Sequence, residues 1–264
     1  MNTKKLENCK VIALAIQKGG VAKTTSSIAI SSILSEKGYK VLLIDNDPQH
    51  NSTRSLIKDK SIGTSISDIM EDMMEFRTFN KNKGILHTNE NFDILPASDS
   101  YAGIELRMIS IMNREYFLKK YVELVREDYD YIIIDCPPNL GMLTINALVA
   151  ADKLLIPAQP QDYSATAIQQ VLNTVNMVWQ YPNPNLKIAG IFLTLFDKRR
   201  KEDKFMKKSI SLAFSEINLF KTEIPYSVKV SEAARHRQSI VKYCKNSPVT
   251  EAYKDLVEEI IING

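Results

Sequence analysis

A six-residue apolar run, Val11–Ile16, breaks directly into Gln17-Lys18-Gly19-Gly20-Val21-Ala22-Lys23-Thr24-Thr25, and this junction leaves few folds open to the chain. The run is β-rich and carries no polar residue, as expected of a strand covered on both faces of a parallel sheet. A glycine pair then lets the backbone turn and present its N–H groups, and Lys-Thr opens the next segment. Across Thr24–Glu36, Ile28, Ile30, Ile33 and Leu34 recur at helical spacing, with Gly38 where a helix C-cap belongs. A second run, Val41–Ile44, completes a strand–helix–strand unit.

The same alternation continues. Tyr131–Ile134, Lys153–Ile156 and Ile188–Leu195 read as strands. Ser98–Arg126 is helical in pattern, as one helix or two, and Ala165–Trp179, Lys204–Ile217 and a segment from Pro248 to Ile262 read as helices. Residues Phe76–Asn91 are polar and patternless, the best candidate for an excursion from the core. The expectation is an α/β fold, a mostly parallel twisted sheet with helices on both faces, with residues 1–264 as a single domain. A hydrophobic content of 44%, nine Gly and ten Pro exclude collagen-like, disulfide-scaffold and disordered classes. Cys9, Cys136 and Cys244 are odd in number and far apart, which argues against a disulfide framework and suits a reducing cytosol. Val11–Ile16 is too short for a signal peptide, and no run approaches the ~18 apolar residues of a membrane span. A cytoplasmic location is expected.

Gly19 to Thr25 have the chemistry of a phosphate cradle. Backbone N–H groups and a helix N-terminus face the anion, Lys23 reaches the β- and γ-phosphates, and the Thr24 hydroxyl ligates Mg²⁺. The ordinary form of this motif has glycine where Gln17 and Ala22 stand. Two carboxylates, Asp45 and Asp47, end the second strand, and Asp135 ends the third, at the sheet edge where open α/β sheets bind ligands. Lys18 is a second lysine that an ordinary phosphate loop does not need.

These residues resemble the ParA partition ATPases, within the deviant Walker A class of P-loop NTPases that also holds MinD and the nitrogenase iron protein. The matching stretches are Lys18–Thr25, Val41–Asn51, Tyr131–Asp152, Ile156–Tyr163 and Ile224–Ala233, in family order over most of the chain. The resemblance implies two ATP molecules held between two subunits, with Lys18 reaching the partner's nucleotide, where a cation stabilises transferring phosphate. It implies that Asp47 is associated with the attacking water, that Asp45 and Asp135 lie near Mg²⁺, and that Gly19, Gly20, Val21, Ala22, Lys23, Thr24 and Thr25 bind the nucleotide. Gly141 and the residues before it resemble a switch region that registers the γ-phosphate. Pro225 is either an adenine contact or a proline that ends a strand. Ala22 stands where the family commonly has glycine, and its methyl group is expected to be tolerated if the backbone there is helical.

Lys198–Lys208 holds seven basic and two acidic residues, a local net of +5. Such a run is either a solvated helix face or a surface for polyanions. The resemblance implies the second, with Lys198, Arg199, Arg200, Lys204, Lys229 and Arg235 (and Arg237 beside them) binding double-stranded DNA without sequence preference in the ATP-bound homodimer. A ParB-like centromere-binding partner would stimulate hydrolysis, and the protein would be nucleoid-associated. Thr250–Gly264 carries Glu251, Asp255, Glu258 and Glu259 against Lys254, so a MinD-like membrane helix is not expected. The first strand begins around Lys10, with no helix-turn-helix expected ahead of it. Other readings are a nucleotide-switched scaffold positioning another cargo, a P-loop metabolite ligase or kinase, and an iron-protein-like reductase. Cys136, beside Asp135, is read as a small buried residue and not as a cluster ligand.

Overall fold

The computed structural model describes residues 8–57 and 62–262. Eight strands form one sheet in the order β3-β4-β2-β5-β1-β6-β7-β8, parallel throughout except for β3 against β4. The strands are β1 (Lys10–Leu14), β2 (Val41–Asp45), β3 (Leu86–His87), β4 (Asp93–Leu95), β5 (Tyr131–Asp135), β6 (Lys153–Ala158), β7 (Lys187–Phe196) and β8 (Leu219–Pro225). The helices are α1 (Lys23–Glu36), α2 (Asn51–Leu56), α3 (Ile66–Met74), α4 (Tyr101–Met108), α5 (Phe117–Val125), α6 (Met142–Ala150), α7 (Ser164–Gln180), α8 (Lys201–Ala213), α9 (Lys229–Arg235), α10 (Ile240–Tyr243) and α11 (Pro248–Ile262).

The unbroken apolar runs are explained by two cores, one on each face of the sheet. Val11 and Ala13 of β1, Leu42 and Ile44 of β2, and Ile132 and Ile134 of β5 point to the core that includes α4 to α7. Their neighbours Ile12, Leu14, Val41, Leu43 and Ile133 point to the core under α1 and α11. Side chains alternate as in any strand, but neither face meets water.

The region Ser98–Arg126 follows the two-helix alternative, as α4 and α5 joined through a short 3₁₀ turn at Arg114–Tyr116. Other elements depart from the sequence expectation. Phe76–Asn91 is not wholly outside the sheet, since it supplies the two-residue edge strand β3. The helix expected at Lys204–Ile217 starts at Lys201, because Asp203 is buried inside it and accepts the Asp197 N–H at 2.8 Å. Edge strand β8 has two adjacent backbone donors covered by α11. Glu259 of α11 accepts the backbone N–H of Lys221 and of Thr222, each at 2.9 Å, and the Thr222 hydroxyl at 2.5 Å. Partial burial alone would raise that carboxyl, but these hydrogen bonds hold it below its usual range.

Candidate functional site

β1, β2 and β5 end in register, with Leu14 opposite Asp135 and Asp45 opposite Asp135, and the loop from β1 to α1 lies over their C-terminal ends. Consecutive strands β1 and β2 are separated by β5, so this edge is a point where the chain switches direction across the sheet. The loop is shaped by two residues with positive φ, Gly20 at 74° and Ala22 at 59°. Ala22 is therefore not helical, as its methyl group would prefer, but left-handed with ψ 27°. That conformation costs an L-residue roughly 1–2 kcal/mol. It is held because Ala22 O accepts the Ser26 N–H at 2.9 Å and the Ser26 hydroxyl at 2.7 Å, closing the first turn of α1.

Below the loop is a cavity of about 540 Å³. Gly19, Gly20, Ala22, Lys23, Thr24 and Thr25 form one wall and Asp47, Gln49 and Pro138 another. Val21 is turned the other way: it is buried, and its carbonyl accepts the Thr194 hydroxyl at 3.0 Å. Tyr226, Ser227 and Val228, just after β8, close the third side. Pro225 does not border this cavity. It ends β8 and lines a neighbouring cleft, so the residues of this segment that border the cavity are Tyr226, Ser227, Val228, Val230 and Ser231. Ser227, Val228, Val230, Ser231 and Asn51 were not singled out as site residues, because none carries chemistry that periodicity or charge reveals.

Lys23 is 7% exposed, and its Nζ lies 3.5 Å from Lys18 O. Its charge acts on two of the three buried carboxylates at this edge, Asp47 and Asp135. Burial raises the Asp47 pKa, opposed by the Gln49 N–H at 2.9 Å and by the charge of Lys23. Burial also raises Asp135, opposed by the Ser52 hydroxyl at 2.8 Å, by Lys23 and by the Thr24 hydroxyl. Asp45 is pushed up to about 8 by burial and then by the charge of Asp135. Its oxygens accept from Thr53 N at 2.8 Å, Thr53 Oγ1 at 2.7 Å and Asp47 N at 3.3 Å, and it does not border the cavity. Asp47 and Asp135 are two carboxyl groups against the single ammonium of Lys23, an arrangement that suits a further cation. Thr24 in the cavity wall with Asp135 behind it offers hard oxygen donors, which fit an Mg²⁺ ion that keeps several waters and takes phosphate oxygens. Such an ion would neutralise phosphate charge during transfer.

Lys18 is placed elsewhere. Its Nζ donates to Gln161 Oε1 at 3.2 Å, and it borders a separate open cleft of about 700 Å³ with Tyr163 and Arg200. Gly141 caps the N-terminus of α6, following the segment after Asp135. Cys136 is fully buried, and burial pushes its thiol up, as befits a packing residue.

The basic residues divide into paired and free ones. Arg199 grips Asp197 through Nε at 3.0 Å and Nη2 at 2.9 Å, holding that carboxyl down to about 2. Arg200 pairs with Glu202 at 2.8 Å and Lys198 with Glu223 at 3.6 Å. Among the described residues, exposed Lys204 and Arg235 have no ion-pair partner, and exposed Lys229 meets only Cys244 Sγ at 3.5 Å. Arg237 does not join them, because it donates to the carbonyls of Arg54 and Ile57 and so caps the end of α2. Helices α8 and α9 leave the same edge of the sheet, from adjacent strands β7 and β8. No helix among the described residues is long and apolar enough to cross a membrane.

An AAA domain family matches residues 9–188. Soj, the sporulation initiation inhibitor protein of Bacillus subtilis, is 40% identical over 97% of this chain and 99% of its own length. The chromosome partitioning protein ParA of Myxococcus xanthus is 36% identical over 96% of this chain and 88% of its own. Among solved structures, cobyrinic acid a,c-diamide synthase of Mycobacterium smegmatis, with bound ADP and magnesium, superposes with a TM-score of 0.82. It is 31% identical, over 95% of this chain and 93% of that one. A P-loop over the switch point of a parallel sheet, in a sequence matched nearly end to end by Soj and ParA, makes this chain a member of the Soj/ParA family of partition ATPases.

Proposed function

We propose that the chain is a DNA-partition ATPase whose ATP- and Mg²⁺-bound homodimer binds non-specific DNA and is released when a ParB-like partner stimulates hydrolysis. The observation that carries this reading is the division of labour between the two lysines of the loop. Lys23 is buried beside the phosphate cavity, whereas Lys18 borders a separate cleft and is bonded to Gln161. A cation directed away from its own nucleotide is suited to reach one held by a second subunit, which couples hydrolysis to dimerisation. Asp47, in the cavity wall, is the carboxylate suited to orient the attacking water.

DNA binding follows from pairing two weak surfaces. One patch of α8 and α9 lysines and arginines neutralises few phosphates, but two held in one dimer act at high effective concentration. ATP would then gate DNA binding, and the protein would be cytoplasmic and associated with the nucleoid. A metabolite-ligase reading draws support from the likeness to cobyrinic acid a,c-diamide synthase. Binding to random duplex DNA with ATP, with ADP and without nucleotide, at two salt concentrations, separates the two. Binding with ATP alone, weakening as salt rises, is the expected result. Failure to bind in every state would favour the ligase or a scaffold with another cargo.

A further inference from the structure

The Asp47 carboxylate has little holding it directly: on its Oδ1 it accepts the Gln49 N–H, and otherwise it faces the cavity. Its position is inherited from the backbone on either side, and the two sides are gripped by the first residue of α4 and by the segment that leads into it. Tyr101, the first residue of α4, is fully buried and donates its hydroxyl to Asn46 Oδ1 at 2.7 Å. Asn46 is also fully buried and donates Nδ2 to Leu143 O of α6 at 2.8 Å. Beyond Asp47, His50 donates through Nε2 to Asp99 Oδ1 at 3.2 Å, two residues ahead of Tyr101.

His50 is not at rest. Its backbone is left-handed, with φ 42° and ψ 42°, and its Nδ1 is buried without a partner. Each of these carries a cost that the surrounding packing must sustain. The same residue donates its N–H to Asp47 O at 2.8 Å, so holding the histidine in place also holds Asp47. One turn along α4, the Glu105 carboxylate occupies the space that a side chain at Gly141 would need. A single short helix thus abuts both the Asp47 loop and the segment that follows Asp135.

We propose that α4 is the positioning element for hydrolysis, with Tyr101 acting through Asn46, and Asp99 through His50, to fix the Asp47 carboxylate over the phosphate cavity. This rests on the reading of Asp47 as the carboxylate that orients water. Neither Tyr101 nor Asp99 borders the cavity, so their effect falls on turnover and leaves nucleotide binding alone. A displacement of one ångström in a reacting group can cost on the order of 100-fold in rate, so loosening one of two grips is expected to cost part of that.

The test is Tyr101→Phe and Asp99→Ala in the full chain, each also combined with Asp47→Ala. ATP turnover and direct binding of ATP are measured on all of them. The Asp99 side chain is 91% exposed, so its removal leaves the core intact. Each single variant is expected to lose roughly 5- to 10-fold in kcat with ATP affinity within about twofold of the parent. In the Asp47→Ala background neither should lower the residual rate further. The same loss in that background, or a loss of ATP affinity, would show a structural role and overturn the proposal. Parent-level turnover in both single variants, with Asp47→Ala inactive, overturns it while leaving the role of Asp47 standing. Parent-level turnover in Asp47→Ala itself removes both.

Discussion

Lys18 Nζ and Gln161 Oε1 are hydrogen-bonded at 3.2 Å across the mouth of a cleft that does not contain the phosphate loop's own cavity. This joins the loop to the segment just ahead of α7, and among the described residues the ammonium group has only a neutral, exchangeable partner. Lys18→Ala should therefore keep ATP binding within about threefold and lose ATP-dependent dimers. Nucleotide titration beside sedimentation with ATP checks both, and a variant that still dimerises would count against action across an interface.

Asp47→Ala should do the reverse. The variant is expected to bind ATP and dimerise while hydrolysis drops by at least about 100-fold, the usual scale for a lost proton-handling or water-orienting group. Single-turnover assays on isolated dimers read this directly.

Ala22→Gly should stabilise the nucleotide-free protein. Glycine removes the left-handed penalty at φ 59° but adds freedom to the unfolded chain, leaving a net gain of about 0.5–1 kcal/mol. Urea unfolding would show a higher midpoint with an unchanged slope.

The Asp45 carboxyl gives stability a pH dependence of definite sign. Its pKa rises from 3.8 to about 8 on folding, so the folded state holds a proton that the unfolded state has lost between those values. The stabilisation is complete below 3.8 and is lost as pH climbs through 8. Thermal melts of the nucleotide-free protein between about pH 6 and 9 should fall with rising pH. Asp45→Asn, whose amide oxygen still accepts from Thr53, should flatten that fall.

On the basic surface, Lys204→Ala should weaken DNA binding more than Arg199→Ala. Arg199 is already neutralised by Asp197, whereas Lys204 has no such partner among the described residues. Removing one phosphate-neutralising cation should reduce the slope of log affinity against log salt by about 0.9. Equal losses would mean that Arg199 exchanges Asp197 for phosphate when DNA arrives.

The central strands were legible because burial on both faces demands unbroken apolar runs, and α7 because Ile168, Val171, Val175 and Val178 keep helical spacing. The phosphate loop was legible because its chemistry is local. The features that stayed hidden are non-local or conformational. Edge strand β8 reads as polar, since Lys221 and Thr222 are satisfied by Glu259 and not by a neighbouring strand. The short strand Asp93–Leu95 carries too few residues for a pattern. The serines of α1 interrupt its apolar stripe because they serve other partners: Ser27 bonds Asp135 at 3.1 Å, Ser32 bonds Glu90 at 2.8 Å and Ser26 meets Tyr253 at 2.9 Å. No spacing rule announces that Ala22 adopts a glycine conformation, or that Arg237 is spent on the end of α2.

The seal that Glu259 places on β8 also dictates an order of events at the ribosome. All eight strands precede α11 in the chain, so the sheet can assemble while its outer edge is still bare. During that interval two nascent copies on one message could zip edge to edge. Only when α11 emerges does Glu259 meet that edge, so Glu259→Ala should be felt first as poor yield of soluble protein.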